Sequence, residues 1–140
     1  MDDGTKELRE ALRDNANYSD ARLALANALQ QDRQLYEAIG HYEQYLRDNP
    51  SDAEVHLVLA DALNARKNYS AAIAQCEDAI KLKPGNARAH YDLALNLDKA
   101  GKRADARREY ETYLRLEPNA PNAEAVRLLL RRLARAQTRG

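Results

Sequence analysis

Residues 53–86 read AEVHLVLADALNARKNYSAAIAQCEDAIKLKPGN, and their pattern recurs on either side. Pro50, Pro84 and Pro118 stand 34 residues apart, and units numbered so that this proline is place 32 run 19–52, 53–86 and 87–120. Place 7 is Leu25, Leu59 and Leu93; place 8 is Ala26, Ala60 and Ala94; place 11 is Leu29, Leu63 and Leu97. Place 20 is Ala38, Ala72 and Ala106; place 24 is Tyr42, Cys76 and Tyr110; place 28 is Leu46, Ile80 and Leu114. Apolar residues at three- and four-residue intervals mark helices. The quoted unit has two such stripes, Leu59 and Leu63, then Tyr69, Ile73, Cys76 and Ile80, split by the polar break Arg66-Lys67-Asn68. Proline removes a backbone donor and clashes with the preceding turn, so Pro84 ends the second helix. Ser51 with Glu54 reads as a capping box opening the first. Each unit is expected to be helix, tight turn, helix.

Composition agrees. Gly and Pro number only 5 and 4 in 140 residues, while Ala, Leu, Arg and Glu, all good helix formers, abound. The 22 basic and 22 acidic side chains balance, which argues against bulk nucleic-acid or anionic-membrane binding. No apolar run reaches membrane-spanning length, so no membrane insertion is expected. Cys76 is the single cysteine, so no intramolecular disulfide can form. As it stands the chain fits the cytoplasm, or the periplasm if a targeting segment has been removed.

The period and its residues resemble the tetratricopeptide signature, W-x2-L-G-x2-Y, then A-x3-F, then P. The quoted unit supplies His56-x2-Leu59-Ala60-x2-Leu63, then Ala72-x3-Cys76, then Pro84. The aromatic at place 4 is replaced by Arg22, His56 and His90, and place 8 is Ala instead of Gly. The resemblance spans 19–120 and implies an all-α fold, a right-handed superhelical solenoid of antiparallel helical hairpins forming one domain over 1–140. Residues 2–15 fit the second helix of a preceding unit, with Leu8, Ala11 and Leu12 at places 24, 27 and 28. Such a helix without its partner bares an apolar stripe, so either a longer array or a partner chain is expected to cover it. Residues 121–137 read as a capping helix, with Arg127 and Arg131 at the hairpin-facing places 7 and 11. Its five arginines (Arg127, Arg131, Arg132, Arg135, Arg139) against Glu124 read as a solvated basic face.

Catalytic, metal and cofactor chemistry find no support. His56 and His90 sit one unit apart, roughly 10 Å by helix packing, while metal ligands converge to about 2 Å from one ion. His41 lies on a second helix. Cys76 occupies a core place and reads as a small buried hydrophobe. Tyr36, Tyr42, Tyr69 and Tyr110 fall on the stripes and read as packing residues. No glycine-rich phosphate loop, H-E-x-x-H or C-x-x-C occurs.

The resemblance implies that places 2, 5, 9 and 12 of the first helices line a concave groove that holds a peptide or helix of a partner protein. These are Asp20, Leu23, Asn27 and Gln30; then Glu54, Leu57, Asp61 and Asn64; then Arg88, Tyr91, Leu95 and Asp98. Place 13 adds Gln31, Ala65 and Lys99. Leu23, Leu57, Tyr91 and Leu95 form an apolar row that no hairpin is expected to need, with Tyr91 as anchor. A subset of the family clamps a carboxylate tail. Here the corresponding residues are Leu23, Asn27, Val58, Arg88 and Asp92, and Leu23 and Asp92 argue against that use. The expected role is an adaptor or scaffold for a protein partner. The alternatives are self-association through the N-terminal helix or the groove, and a regulatory domain of a larger enzyme or secretion protein.

Overall fold

A computed structural model describes residues 3–15 and 18–139. Among these there are eight helices: α1 (Asp3–Asp14), α2 (Ser19–Gln31), α3 (Leu35–Asp48), α4 (Ala53–Ala65), α5 (Tyr69–Leu82), α6 (Ala87–Lys99), α7 (Arg103–Leu116) and α8 (Ala123–Arg139). Residue 2, the expected start of the first helix, lies outside the described residues, as does the side chain of Arg139.

The caps explain the boundaries. Asn68 and Asn86 cap α5 and α6, each side chain accepting from the backbone N–H three residues on at 3.3 Å. At α4 the cap is Asp52 and not Ser51: its carboxylate accepts from Val55 N–H at 3.3 Å and from the Tyr45 hydroxyl at 2.8 Å. An ionised oxygen at a helix N-terminus also gains from the helix dipole, which a hydroxyl does not. Place 15 of the three units, Arg33, Lys67 and Gly101, is left-handed with φ of 63°, 65° and 84°. There the N–H of the next residue turns back to the first helix, as in Asn68 N–H to Leu63 C=O at 2.9 Å, which closes it with a Schellman-type turn.

Small residues set the hairpin spacing. Ala26, Ala60 and Ala94 on the first helices and Ala38, Ala72 and Ala106 on the second are fully buried. Leu25, Leu59, Tyr42, Cys76 and Tyr110 fill the space around them. Place 4 is bonded to place 23 across every hairpin. Arg22 Nη1 lies 3.3 Å from His41 Nδ1, His56 Nδ1 2.7 Å from Gln75 Oε1, and His90 Nδ1 2.6 Å from Glu109 Oε2. The other ring nitrogens of His56 and His90 reach the Pro50 and Pro84 carbonyls at 3.0 and 2.9 Å. These imidazoles tie the second and third hairpins to the loops that precede them.

α1 packs along α2, with Thr5 buried and Leu8 and Leu12 half-buried against the core. Arg9 of α1 pairs with Glu37 of α3. On α8, Val126 and Leu133 are buried against the stack, while Leu128 is 60% exposed.

Candidate functional site

Among the described residues α4 touches α6 directly, whereas no comparable contact joins α2 to α4, α3 to α5 or α5 to α7. All twelve groove residues expected from the sequence lie on α2, α4 and α6, whose shared face is called the inner face below.

Their exposure departs from expectation. Leu57 is fully buried within the core and offers no surface. Leu23 and Tyr91 are half-buried and packed against that core. The Tyr91 ring lies 5.9 Å from that of Tyr110, edge-on, and 5.1 Å from that of Tyr113. The expectation that no hairpin needs these side chains is therefore corrected. Helical register states which way a side chain points, but not how far a neighbouring helix covers it. Leu95 differs: it is half-buried and stands outside the core cluster.

The polar residues are bound to one another. Tyr42 Oη lies 2.7 Å from Asn27 Oδ1 and 2.6 Å from Gln30 Oε1. Asn64 Nδ2 donates to Asn96 Oδ1 at 2.6 Å, and Asn64 Oδ1 lies 3.4 Å from Lys99 Nζ. Asn96 is buried and its Nδ2 donates to the Asp92 carbonyl, so this amide chain is anchored to backbone.

Arg88 is the hub of a charge cluster that register alone did not reveal. Its Nη1 lies 2.6 Å from Glu54 Oε1, its Nη2 2.9 Å from Asp61 Oδ2 and its Nε 3.4 Å from Asp92 Oδ2. One guanidinium thus faces three carboxylates. Burial holds the Asp92 carboxyl at about 6, with Asp61 adding to the effect and Arg88 opposing it. Burial also raises Asp61, again against the pull of Arg88. A recess of about 330 Å³ opens beside Arg88 and Tyr91, lined by Ala87, Tyr113, Ala120 and Pro121.

A second concavity, about 480 Å³, is lined by residues of α3, α4 and α5, with Ile39, Leu59 and Leu63 among them, and by Tyr36 and Arg66. The Arg66 guanidinium lies 5.4 Å from the centre of the Tyr36 ring, which is 79% exposed. The sequence reading placed Tyr36 in the packing, and its exposure corrects that.

Cys76 is fully buried, and burial, aided by Asp92 and Asp61, pushes its thiol up to about 12. Among the described residues no group of three His, Cys, Asp or Glu side chains could hold a metal, and no helix is long and apolar enough to cross a membrane.

Two family descriptions, each of the tetratricopeptide repeat, match residues 23–87 and 63–133. No curated protein matches the sequence. Among solved structures the chain is similar to MamA, at 21% identity and a TM-score of 0.87, over 99% of this chain and 86% of that one. It is also similar to the first repeat domain of Spaghetti (RPAP3) bound to the HSP90 peptide SRMEEVD, at 22% identity and a TM-score of 0.77, over 86% and 93%. YrrB, described as having an unusual peptide-binding site, aligns at 19% identity and a TM-score of 0.81, over 88% and 63%. At these identities the likenesses concern the fold. With one description covering half of the sequence, the chain belongs to the tetratricopeptide repeat family.

Proposed function

We propose that this chain is a non-catalytic adaptor that holds a segment of a partner protein on its α2–α4–α6 face. The observation that carries the reading is Leu95. It occupies the place held by Asn27 and Asp61 in the other units, and it presents apolar surface on the inner face without joining the core. An apolar side chain amid amides and charges is the pattern of an anchor point inside a polar rim. The similar Spaghetti domain is bound to a peptide, which supports a protein partner for this chain. The nucleophile candidates point the same way: the Cys76 thiol is buried and hard to ionise, and both ring nitrogens of His56 and of His90 are engaged.

A photo-crosslinking amino acid at Leu95, and separately at Glu111 on α7, tests the reading in the native cell. Position 95 is expected to give discrete protein adducts and position 111 none. Adducts at 111 and none at 95 would move the binding surface off the inner face.

A further inference from the structure

The concavity lined by α3, α4 and α5 shares none of its residues with the twelve places of the inner face. Gly40 of α3 is among its lining residues. Glycine inside a helix lowers its stability relative to ordinary residues, so its presence asks for a reason. Packing within the chain supplies none: Gly40 is exposed, and a Cβ there would meet nothing within 4 Å. A glycine so placed lets another molecule come close to the backbone. Opposite charges flank the gap. The Arg66 guanidinium lies over the ring of Tyr36, one turn before Gly40, and Glu43 stands one turn after it. Among the described residues neither Arg66 nor Glu43 forms an ion pair.

α8 carries the complement in the same order. Leu128 is 60% exposed. Glu124 stands four residues before it and Arg131 three after it, and both are exposed. Residues at i, i+4 and i+7 share one helix face. Tyr36, Gly40 and Glu43 have that same spacing on α3. Seven residues of helix span roughly 10 Å in each case. An α8 laid parallel to α3 therefore sets Leu128 over Gly40, Glu124 beside Arg66 and Arg131 beside Glu43. Arg131 makes no ion pair among the described residues, and Glu124, though paired with Arg127, keeps its side chain 78% exposed. Within one chain α8 packs on α7 and makes no comparable contact with α3, so this match can be made only between two copies.

We propose that this chain associates with itself, the exposed Leu128 of one copy entering the recess at Gly40 of the next. Glu124 with Arg66 and Arg131 with Glu43 fix the two ends of the contact. The two surfaces differ, so each copy offers one recess and one α8, and the contact propagates into a ring or an open chain. The apolar centre holds the copies, while the charges set their alignment. None of the inner-face places takes part, so this inference and the inner-face reading stand or fall separately.

Sedimentation of the 140-residue chain at rising concentration tests this. The average mass is expected to climb above that of one chain, and to climb less as salt rises. Gly40→Gln replaces glycine by a good helix former and fills the recess. It is expected to keep or raise the melting temperature and to weaken association by about tenfold or more, as loss of an anchor contact does. Leu128→Ser is expected to weaken it as much. Mixed together, these two variants are expected to form a dimer and nothing larger, since one keeps the recess and the other keeps α8. Glu43→Arg and Arg131→Glu are each expected to weaken association, and the two in one chain to restore it. A chain that stays monomeric up to about 1 mM, the upper limit of a useful contact, overturns the proposal and leaves the recess to a different protein. Association that survives Gly40→Gln and Leu128→Ser, a mixture of the two that stays monomeric, or a double charge exchange that restores nothing overturns the pairing of these surfaces.

Discussion

The ring of Tyr91 on α6 lies 5.1 Å from that of Tyr113 on α7, tilted by 53°, and so a residue of the inner face is also a strut of its own hairpin. Tyr91→Ala removes that contact and the edge-on contact with Tyr110. Truncating a half-buried aromatic that stacks on two others is expected to destabilise by roughly 1–3 kcal/mol. Chemical denaturation checks this. A loss under about 0.5 kcal/mol, the range of a surface substitution, would show that the ring cluster contributes little.

Ala72 is fully buried where the two helices of the middle hairpin meet. Ala72→Arg forces a long charged side chain into a space sized for a methyl group, combining overpacking with an unpaired charge. Thermal unfolding is expected to lose its cooperative transition or to shift far downward. A melting temperature within a few degrees of the unaltered chain would refute the helix contact.

Asp92 gives a pH dependence with a definite sign. Its carboxyl sits at about 6 in the folded chain, above the ordinary 3.8, so the folded state holds the proton more tightly than the unfolded one. The stability this contributes is full below about 4 and is lost as pH rises through about 6. Asp92→Asn keeps the neutral shape at every pH, and Glu54 and Asp61 still pair with Arg88. It is expected to stabilise by roughly 1–3 kcal/mol at pH 7.5, since a tenfold change in proton affinity is about 1.4 kcal/mol, and by little at pH 4. Equal gains at both pH values would assign the effect to packing.

Cys76, buried and with its thiol at about 12, is expected to react with a thiol reagent only as fast as the chain opens. Labelling rates with and without denaturant measure this. Rapid stoichiometric labelling of the folded chain would contradict the structural role.

The sequence announces the hairpins because their determinants are local and repeated. Alanine at places 8 and 20 and leucine at place 7 follow from helical period alone, and in the structure they are the buried contacts. The capping box read at Ser51 missed the α4 cap by one position: Asp52 is the cap, and its side chain accepts from Val55 N–H. The family resemblance supplies the places on α2, α4 and α6, and helical register does not give their depth. Leu57 vanishes into the core, because burial depends on what the adjoining unit lays over it. The Arg88 cluster joins Glu54 and Asp61 to a residue 34 and 27 positions away. No local pattern encodes such a partnership until the stack sets the spacing.

The central claim is that a protein partner is held on the inner face, and Leu95 tests it with the least confusion, since that side chain stands outside the core. Affinity for the crosslinked partner, by calorimetry, and melting temperature are to be measured on the same Leu95→Ala protein. The account expects a loss of roughly 1–3 kcal/mol in binding, the range of an anchor residue, with the melting temperature within a few degrees of the unaltered chain. Unchanged affinity with a large fall in melting temperature would contradict it, making Leu95 a packing residue and placing the partner elsewhere.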